Sequence, residues 1–409
     1  MAFSLTEEQQ AAVDNRGGGL LVSAAAGSGK TRVLVERLLA RVCGGGVDID
    51  RFLVITYTKA AAAELRSRIV EELSARLAAD PANARLRRQA NLVNKADIST
   101  VHAFCAKLLR ECGHLVDLDP DFRLCDEGEA GVLMLRALND VMDRRYEDLT
   151  EGSDFAQLVD TMSAGRDDSR LMQIVLDIRG RVQAHPDPEA WLDAQEAAFA
   201  LTGVQAAEDT PWGALLLEDA RRQAEYWTRR MAGALDLCAQ DGKLEANYGP
   251  TISATLEGLR VFSAGTERGW DAARDALPIP FSTPGRKKMA DCPEELARQV
   301  KDLRAKCKKR MEKLSEWFSD PSAGLLEDIR GVYPAMRGLF ALVKDFEAAY
   351  TAEKKRRGAL DFSDLEHLAV GLLVGADGTS TPLALQWAQR YDEIMVDEYQ
   401  DTNAVQNAI

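Results

Sequence analysis

The chain has 409 residues, of which 46% are hydrophobic and 28% charged, with a formal net charge of −14. This fits two or three domains with ample length for packed cores; the acidic balance argues against a wholesale nucleic-acid coat but leaves room for a local basic groove. No apolar run is long enough to span a bilayer, the start "MAFSLTEEQQ" is no secretory signal, and the seven cysteines form no CxxC pair, so a cytoplasmic chain without a disulfide framework or zinc site is expected.

Residues 1–115 alternate strand and helix patterns. "GLLVSA" at 19–24 reads as a short buried strand ending in small residues. "RVLVERLLARV" at 32–42 has helical apolar spacing, and "RFLVITYT" at 51–58 is a second strand rich in β-branched residues. A helix over 60–79, a short strand "ADIST" at 96–100 and the helix "VHAFCAKLLREC" follow. Such alternation predicts an α/β fold, a parallel sheet with helices on both faces.

From about 116 to 350 helical periodicity dominates. Leu296, Val300, Leu303, Cys307, Met311, Leu314 and Phe318 step by three or four, as do Leu325, Ile329, Val332, Met336, Leu339, Val343, Phe346 and Tyr350. "LPIPFSTPGRKK" at 277–288 is a Pro/Gly-rich loop. This segment is expected to be a separate helical domain. Residues 351–409 return to strand chemistry in "YDEIMVDE" at 391–398, which most simply rejoins the first sheet. The helical domain would then be an insertion.

The octet Ala24–Thr31 matches the phosphate-loop pattern G-x-x-x-x-G-K-[ST] except for Ala24 at the first glycine. Ala24, Ala25, Ala26, Gly27, Ser28 and Gly29 are small enough to let backbone N–H groups close on phosphate oxygens. The helix that starts near Lys30 adds its partial positive charge. Lys30 would reach the β- and γ-phosphates, and the Thr31 hydroxyl would ligate Mg2+. A phosphate loop needs an acidic partner at the end of a neighbouring strand, and "IMVDEYQDT" at 394–402 supplies one. Asp397 would hold the metal, and Glu398 would orient and deprotonate the attacking water. ATP with Mg2+ is the expected ligand pair.

Further stretches give the motor. "LTEEQQAAV" at 5–13, "VITYTKAAAAELRSRI" at 54–69, "ISTVHAFCAKLLR" at 98–110, "LDFSDLEHLA" at 360–369 and "VDEYQDTN" at 396–403 resemble, in this order, the UvrD/Rep-like superfamily 1 DNA helicases. "DEYQD" is a close match to that family's Walker B motif, and the family tolerates alanine at the first loop position. "LLRECGHLVDLDPDFRLCDEGEA" and "HPDPEAWL" narrow the resemblance to the AddA (RexA-type) family of helicase–nuclease subunits. The resemblance implies a RecA-like domain 1A from 1–115 with about 351–409, and a helical subdomain 1B over 116–350. It implies a 3′-to-5′ motor on single-stranded and duplex DNA in double-strand-break repair, paired with an AddB-like subunit.

By the same resemblance, Gln9 reads the adenine edge, Arg32 lies near the nucleotide, and Gln400 couples the γ-phosphate to movement. Tyr57, Thr58, Lys59 and Ala60, with Thr100, His102 and Phe104, are implied DNA contacts. Tyr57 and Lys59 stand where phenylalanine and asparagine are commoner. A core role for Tyr57 and Phe104 stays open, as does helix capping by Asp361 and Asp364. The basic runs at 306–314 and 353–358 read first as solvated helix faces.

The resemblance also implies a second RecA-like domain and a nuclease domain beyond Ile409, and so a chain that binds nucleotide but hydrolyses it poorly alone. A non-catalytic binding or docking module is the alternative. A P-loop kinase would leave "DEYQD" and "TYTKAA" unexplained.

Overall fold

The computed structural model describes residues 5–25, 27–44, 46–162, 167–285 and 293–409. Its strands are β1 (Phe52–Thr56), β2 (Asp97–Thr100), β3 (Arg123–Leu124), β4 (Ala359–Leu360) and β5 (Glu393–Val396). The sequence FLVIT makes β1 the centre of a sheet, because branched and aromatic side chains suit a strand covered on both faces. All five of its residues are buried. It pairs in parallel with β2, Val54 opposite Ile98, and with β5, Val54 opposite Met395. The order is β2-β1-β5.

Alternation along β1 sends side chains to two packed layers. Phe52 and Val54, with Ile98 and Met395, join a cluster with Leu38, Leu39, Leu65, Ile69 and Leu73. Those partners lie on α2 (Lys30–Cys43) and α3 (Lys59–Ala79), which follow the short α1 (Glu7–Asp14). Leu53 and Ile55 point the other way, into a cluster with Leu108, Leu109, Leu365, Ala369 and Trp387. That side is built by α5 (Val101–Cys112), which follows α4 (Ala84–Leu92), and by the helix Phe362–Leu373. The expected parallel α/β sheet is therefore present, with helices on both faces.

Two of the sheet's helices begin at side-chain caps that the sequence provides. Thr58 accepts from Ala61 N at the start of α3, and Thr100 accepts from Ala103 N at the start of α5. Each such cap contributes about 1 kcal/mol. A second, two-residue parallel ladder joins β3 to β4, bringing residues 123–124 beside 359–360.

The expected strand at 19–24 is not formed. Leu20, Leu21 and Val22 are exposed, Leu21 at 78%. The sheet order is β2-β1-β5, and the run 19–24 joins neither of its outer edges.

The chain divides into two compact units, Met1–Asp148 with Ser169–Trp191 and Leu342–Ile409, and Leu149–Asp168 with Leu192–Ala341. The expected helical segment 116–350 is thus shared, since 116–148, 169–191 and 342–350 fall in the first. The second unit is built of helices that include Pro211–Cys238, Gly242–Arg268 and Glu294–Ser315. Its core gathers Phe262, Trp270, Val300, Cys307, Met311, Leu314 and Phe318. Trp270 stacks obliquely on Phe318 at 4.5 Å and donates its indole N–H to Asp320 O at 3.0 Å. Five of the seven residues in the first apolar series of the sequence reading are in that core, and Leu296 and Leu303 pack against it. Of the Pro/Gly-rich loop, residues 286–288 lie outside the described residues. Among the described residues no helix is long and apolar enough to cross a membrane.

Candidate functional site

Parallel strands end on one edge of a sheet, and ligands of open α/β folds bind there. The residues after β1, β2 and β5 are Tyr57, Val101 and Asp397. α2 brings the phosphate-loop residues to the same edge, because Thr31 Oγ1 lies 3.4 Å from Asp397 Oδ2. These two side chains are 366 positions apart in sequence.

The loop has the backbone its composition anticipates. Gly27 and Gly29 adopt φ of 77° and 87°, the left-handed region that side chains disfavour. Gly29 is the N-cap of α2 and offers no side-chain bond to the first-turn N–H groups. Those groups and the helix dipole are thus available to an anion. The Lys30 ammonium turns back to donate to Ala24 O at 3.0 Å. Ala24, Ala25, Ser28 and Arg32 are exposed; Ala26 lies outside the described residues.

Gln9 closes the loop from the side of α1. Its Oε1 accepts from Thr6 N at 3.0 Å and its Nε2 donates to Ser28 O at 2.9 Å. Gln9 N in turn donates to Thr6 Oγ1, completing a capping box. The resemblance implies that Gln9 reads a base; in the structure its amide holds the loop.

The acidic side is anchored by the sheet. Asp397 N donates to Ile55 O at 2.9 Å, carrying the ladder one residue past β5. Glu398 N donates to Asp397 Oδ1 at 3.1 Å. Glu398 itself has φ of 54°, a left-handed turn that costs a non-glycine residue about 1–2 kcal/mol. The Gln400 side-chain amide hydrogen-bonds to the Glu398 carboxylate. A hydroxyl and a carboxylate are the hard oxygens Mg2+ takes. Neighbouring corners of an octahedron with Mg–O bonds near 2.1 Å stand about 3 Å apart, so the Thr31–Asp397 spacing fits one cation.

The implied DNA contacts divide. Tyr57 is 60% exposed, and Thr58, Lys59 and Ala60 are exposed beside it. A core role for Tyr57 is therefore excluded. Phe104 is the correction: it is buried, edge-on to Trp387 at 5.7 Å, and gives a base no face to stack on. The apolar stripe of α5 explains this, since Phe104 shares it with Leu108. Thr100 is buried and spends its hydroxyl on the α5 cap. His102 reaches the surface in part, its ring against Phe362 at 4.9 Å and its Nε2 3.0 Å from Glu366 Oε1.

The motif "LDFSDL" is a capping box, Asp361 accepting from Asp364 N and Asp364 from Asp361 N. It is also an ionic core. Lys354 is 2% exposed, with its ammonium 3.0 Å from Asp361 and 2.6 Å from Asp364. Arg179 adds a contact to Asp361 at 3.3 Å. Burial raises both carboxyls; at Asp361 the charge of Lys354 prevails and the pKa lies below its ordinary value, whereas at Asp364 burial prevails and it lies above. The solvated-face reading of 353–358 thus fails at Lys354. In 306–314 it stands: Lys306, Lys308 and Lys309 are exposed, opposite buried Cys307 and Met311.

A cavity of about 550 Å³ lined by Arg51, Arg85, Arg88, Asp48 and Asp392 lies at the other, N-terminal end of β1. Its arginines are already paired with those aspartates. We therefore place the candidate chemistry at the carboxyl edge.

Comparison with known proteins gives the family. The UvrD/REP helicase N-terminal domain model matches residues 5–409. The A subunits of the ATP-dependent helicase/nuclease from Bacillus cytotoxicus and Bacillus anthracis are each 37% identical to this chain over 413 aligned residues. The alignments cover 99% of this chain and 33% of each relative. The chain thus spans about a third of the length of the curated relatives it matches. With this match along nearly its whole length, the chain belongs to the UvrD/REP helicase family, in the part that forms its N-terminal domain.

Proposed function

We propose that this chain is the nucleotide-binding motor portion of an ATP-dependent 3′-to-5′ DNA helicase, the AddA-like component of a helicase–nuclease acting in double-strand-break repair. The observation that carries it is the meeting of Thr31 and Asp397 at 3.4 Å. On this reading the loop N–H groups and Lys30 hold the β- and γ-phosphates of ATP. Thr31 and Asp397 hold Mg2+, whose charge offsets that of the phosphates. Glu398 takes the proton of the attacking water, and Gln400, already on the Glu398 carboxylate, senses the γ-phosphate. Gln9 and Arg32 flank the nucleotide. Tyr57, Thr58, Lys59, Ala60 and His102 form the track for single-stranded DNA, with an exposed ring for base stacking.

The first unit corresponds to the RecA-like domain 1A, and helical residues within 116–350 to subdomain 1B. An AddB-like protein is the partner, and the cytoplasm is the location. The test is Mg2+-dependent binding of a fluorescent ATP analogue to the 409-residue chain, with turnover measured beside it. Lys30→Ala should abolish binding; Glu398→Gln should keep binding and abolish any turnover. Binding that survives Lys30→Ala would overturn the proposal. Binding with no turnover in the unaltered chain would favour a nucleotide-binding module over a self-sufficient ATPase.

A further inference from the structure

A carboxylate buried among apolar residues is costly unless its oxygens are met. Glu366 is such a group. It sits in the helix Phe362–Leu373, next to buried Leu365 and one turn from Ala369, and is 4% exposed. One oxygen, Oε1, takes two partners. Gln406 Nε2 donates to it at 2.7 Å, and His102 Nε2 lies 3.0 Å away.

Those partners come from two different parts of the site. His102 is in the first turn of α5, directly after β2. Gln406 is in the short helix Ala404–Ala408, directly after the Walker B turn. The Gln406 amide is held at both ends, since its Oε1 faces Asn403 N in the capping box of that helix. The same helix is tied back to the carboxylates: Tyr399, adjacent to Glu398, donates its hydroxyl to Asn407 Oδ1 at 2.5 Å. The bonds Tyr399–Asn407 and Gln406–Glu366, joined by the peptide links 398–399 and 406–407, thus lead from Glu398 to Glu366 and His102.

We infer that Glu366 is a positioning residue that couples the DNA-facing edge at His102 to the Walker B segment. The inference rests on the reading of His102 as part of the DNA track. Glu366 is buried, so its contacts are with the protein. It acts by giving His102 and Gln406 a common anchor, so a shift of one is felt by the other. A leucine would fill the same space without the penalty of a buried charge, which is why a link explains this carboxylate better than packing does.

Coupling between two ligands is a reciprocal change of affinity and can be measured without turnover. The experiment is single-stranded DNA binding by the 409-residue chain, by fluorescence anisotropy, with and without a non-hydrolysable ATP analogue and Mg2+. The unaltered chain should show about a fivefold or larger change in DNA affinity. In Glu366→Ala that change should fall below about twofold, while the affinity for each ligand alone stays within about threefold. If Glu366→Ala fails to fold, Gln406→Ala breaks the link from the other, half-exposed side and must give the same loss. A merely structural role would weaken each separate affinity instead and would overturn the inference. So would a coupling that survives in both variants, or two ligands that bind the unaltered chain without coupling. Failure of that chain to bind either ligand would overturn the proposed function, and this inference with it.

Discussion

β1 and the stretch leading into the phosphate loop have similar apolar content and opposite fates. In FLVIT every residue is buried; in GLLVSA, Leu20, Leu21 and Val22 are exposed. β1 has a strand on each side and helices on each face. Residues 19–24 have no ladder partner among the described residues. The difference teaches that apolar content nominates a strand, while ladder pairing and cover on both faces bury one.

The largest effect should come from a charge placed in each. Val54→Asp should cost more than about 4 kcal/mol and unfold the first unit, because Val54 is fully buried. Leu21→Asp should change stability by no more than about 0.5 kcal/mol. Urea melts followed by circular dichroism read both; equal losses would mean that residues 19–24 are packed in solution.

A milder pair sharpens the contrast inside the sheet. Ile55→Ala on β1 should cost about 2–5 kcal/mol, as expected for a buried isoleucine. Ile394→Ala on β5, where the side chain is 57% exposed, should cost under about 1 kcal/mol. Similar midpoints for the two variants would show that the outer side of β5 is covered.

Within the loop, backbone rather than burial decides. Gly29→Ala forces a side chain into φ of 87° and should cost about 1–2 kcal/mol, with weaker nucleotide binding by titration. Gly17→Ala, with nothing within 4 Å of an added methyl, should be silent in both measurements. A nucleotide affinity untouched by Gly29→Ala would remove the loop geometry from the binding account.

The smallest effect is in acid. Asp361 titrates below its ordinary value, so its contribution is present above the unfolded value near 3.8 and lost as pH falls through the folded one. Asp364 titrates above its ordinary value, so its contribution is present below 3.8 and lost as pH rises through its folded value. The two slopes have opposite signs on either side of 3.8, so the pair should leave a shallow stability maximum near that pH. Replacing both with asparagine should change the level of stability more than its pH profile; a much altered profile would mean the buried pair titrates as one.

Much of the first unit was legible. "GSGKT" placed the start of α2 at Lys30, and β-branched density placed β1, β2 and β5 to within about two residues. These signals are local, and local chemistry survives into the fold. What was not legible depends on distant partners. The two-residue strands β3 and β4 are too short to show a period. Lys354 looked like its exposed neighbour Lys355, and only the fold brings Asp361, Asp364 and Arg179 around it. Phe104 read as a base-stacking ring because its motif did; its place on the α5 stripe with Leu108 was the contrary sign. Glu366 drew no attention, although a lone carboxylate amid "LEHLAVGLL" was the available signal.

If Gln9 reads the base, as proposed, its amide, engaged at Thr6 and Ser28, gives that recognition the form of a swap. A base that takes over both ends of the amide must release one partner for every partner it supplies. The net gain for a well-matched base is then small, of the order of one exchanged hydrogen bond, about 1 kcal/mol. A base that cannot reciprocate leaves the amide where it was and forgoes that gain. Selectivity at this position would therefore show as a modest preference among nucleotides rather than an absolute gate, while the phosphate end supplies most of the grip.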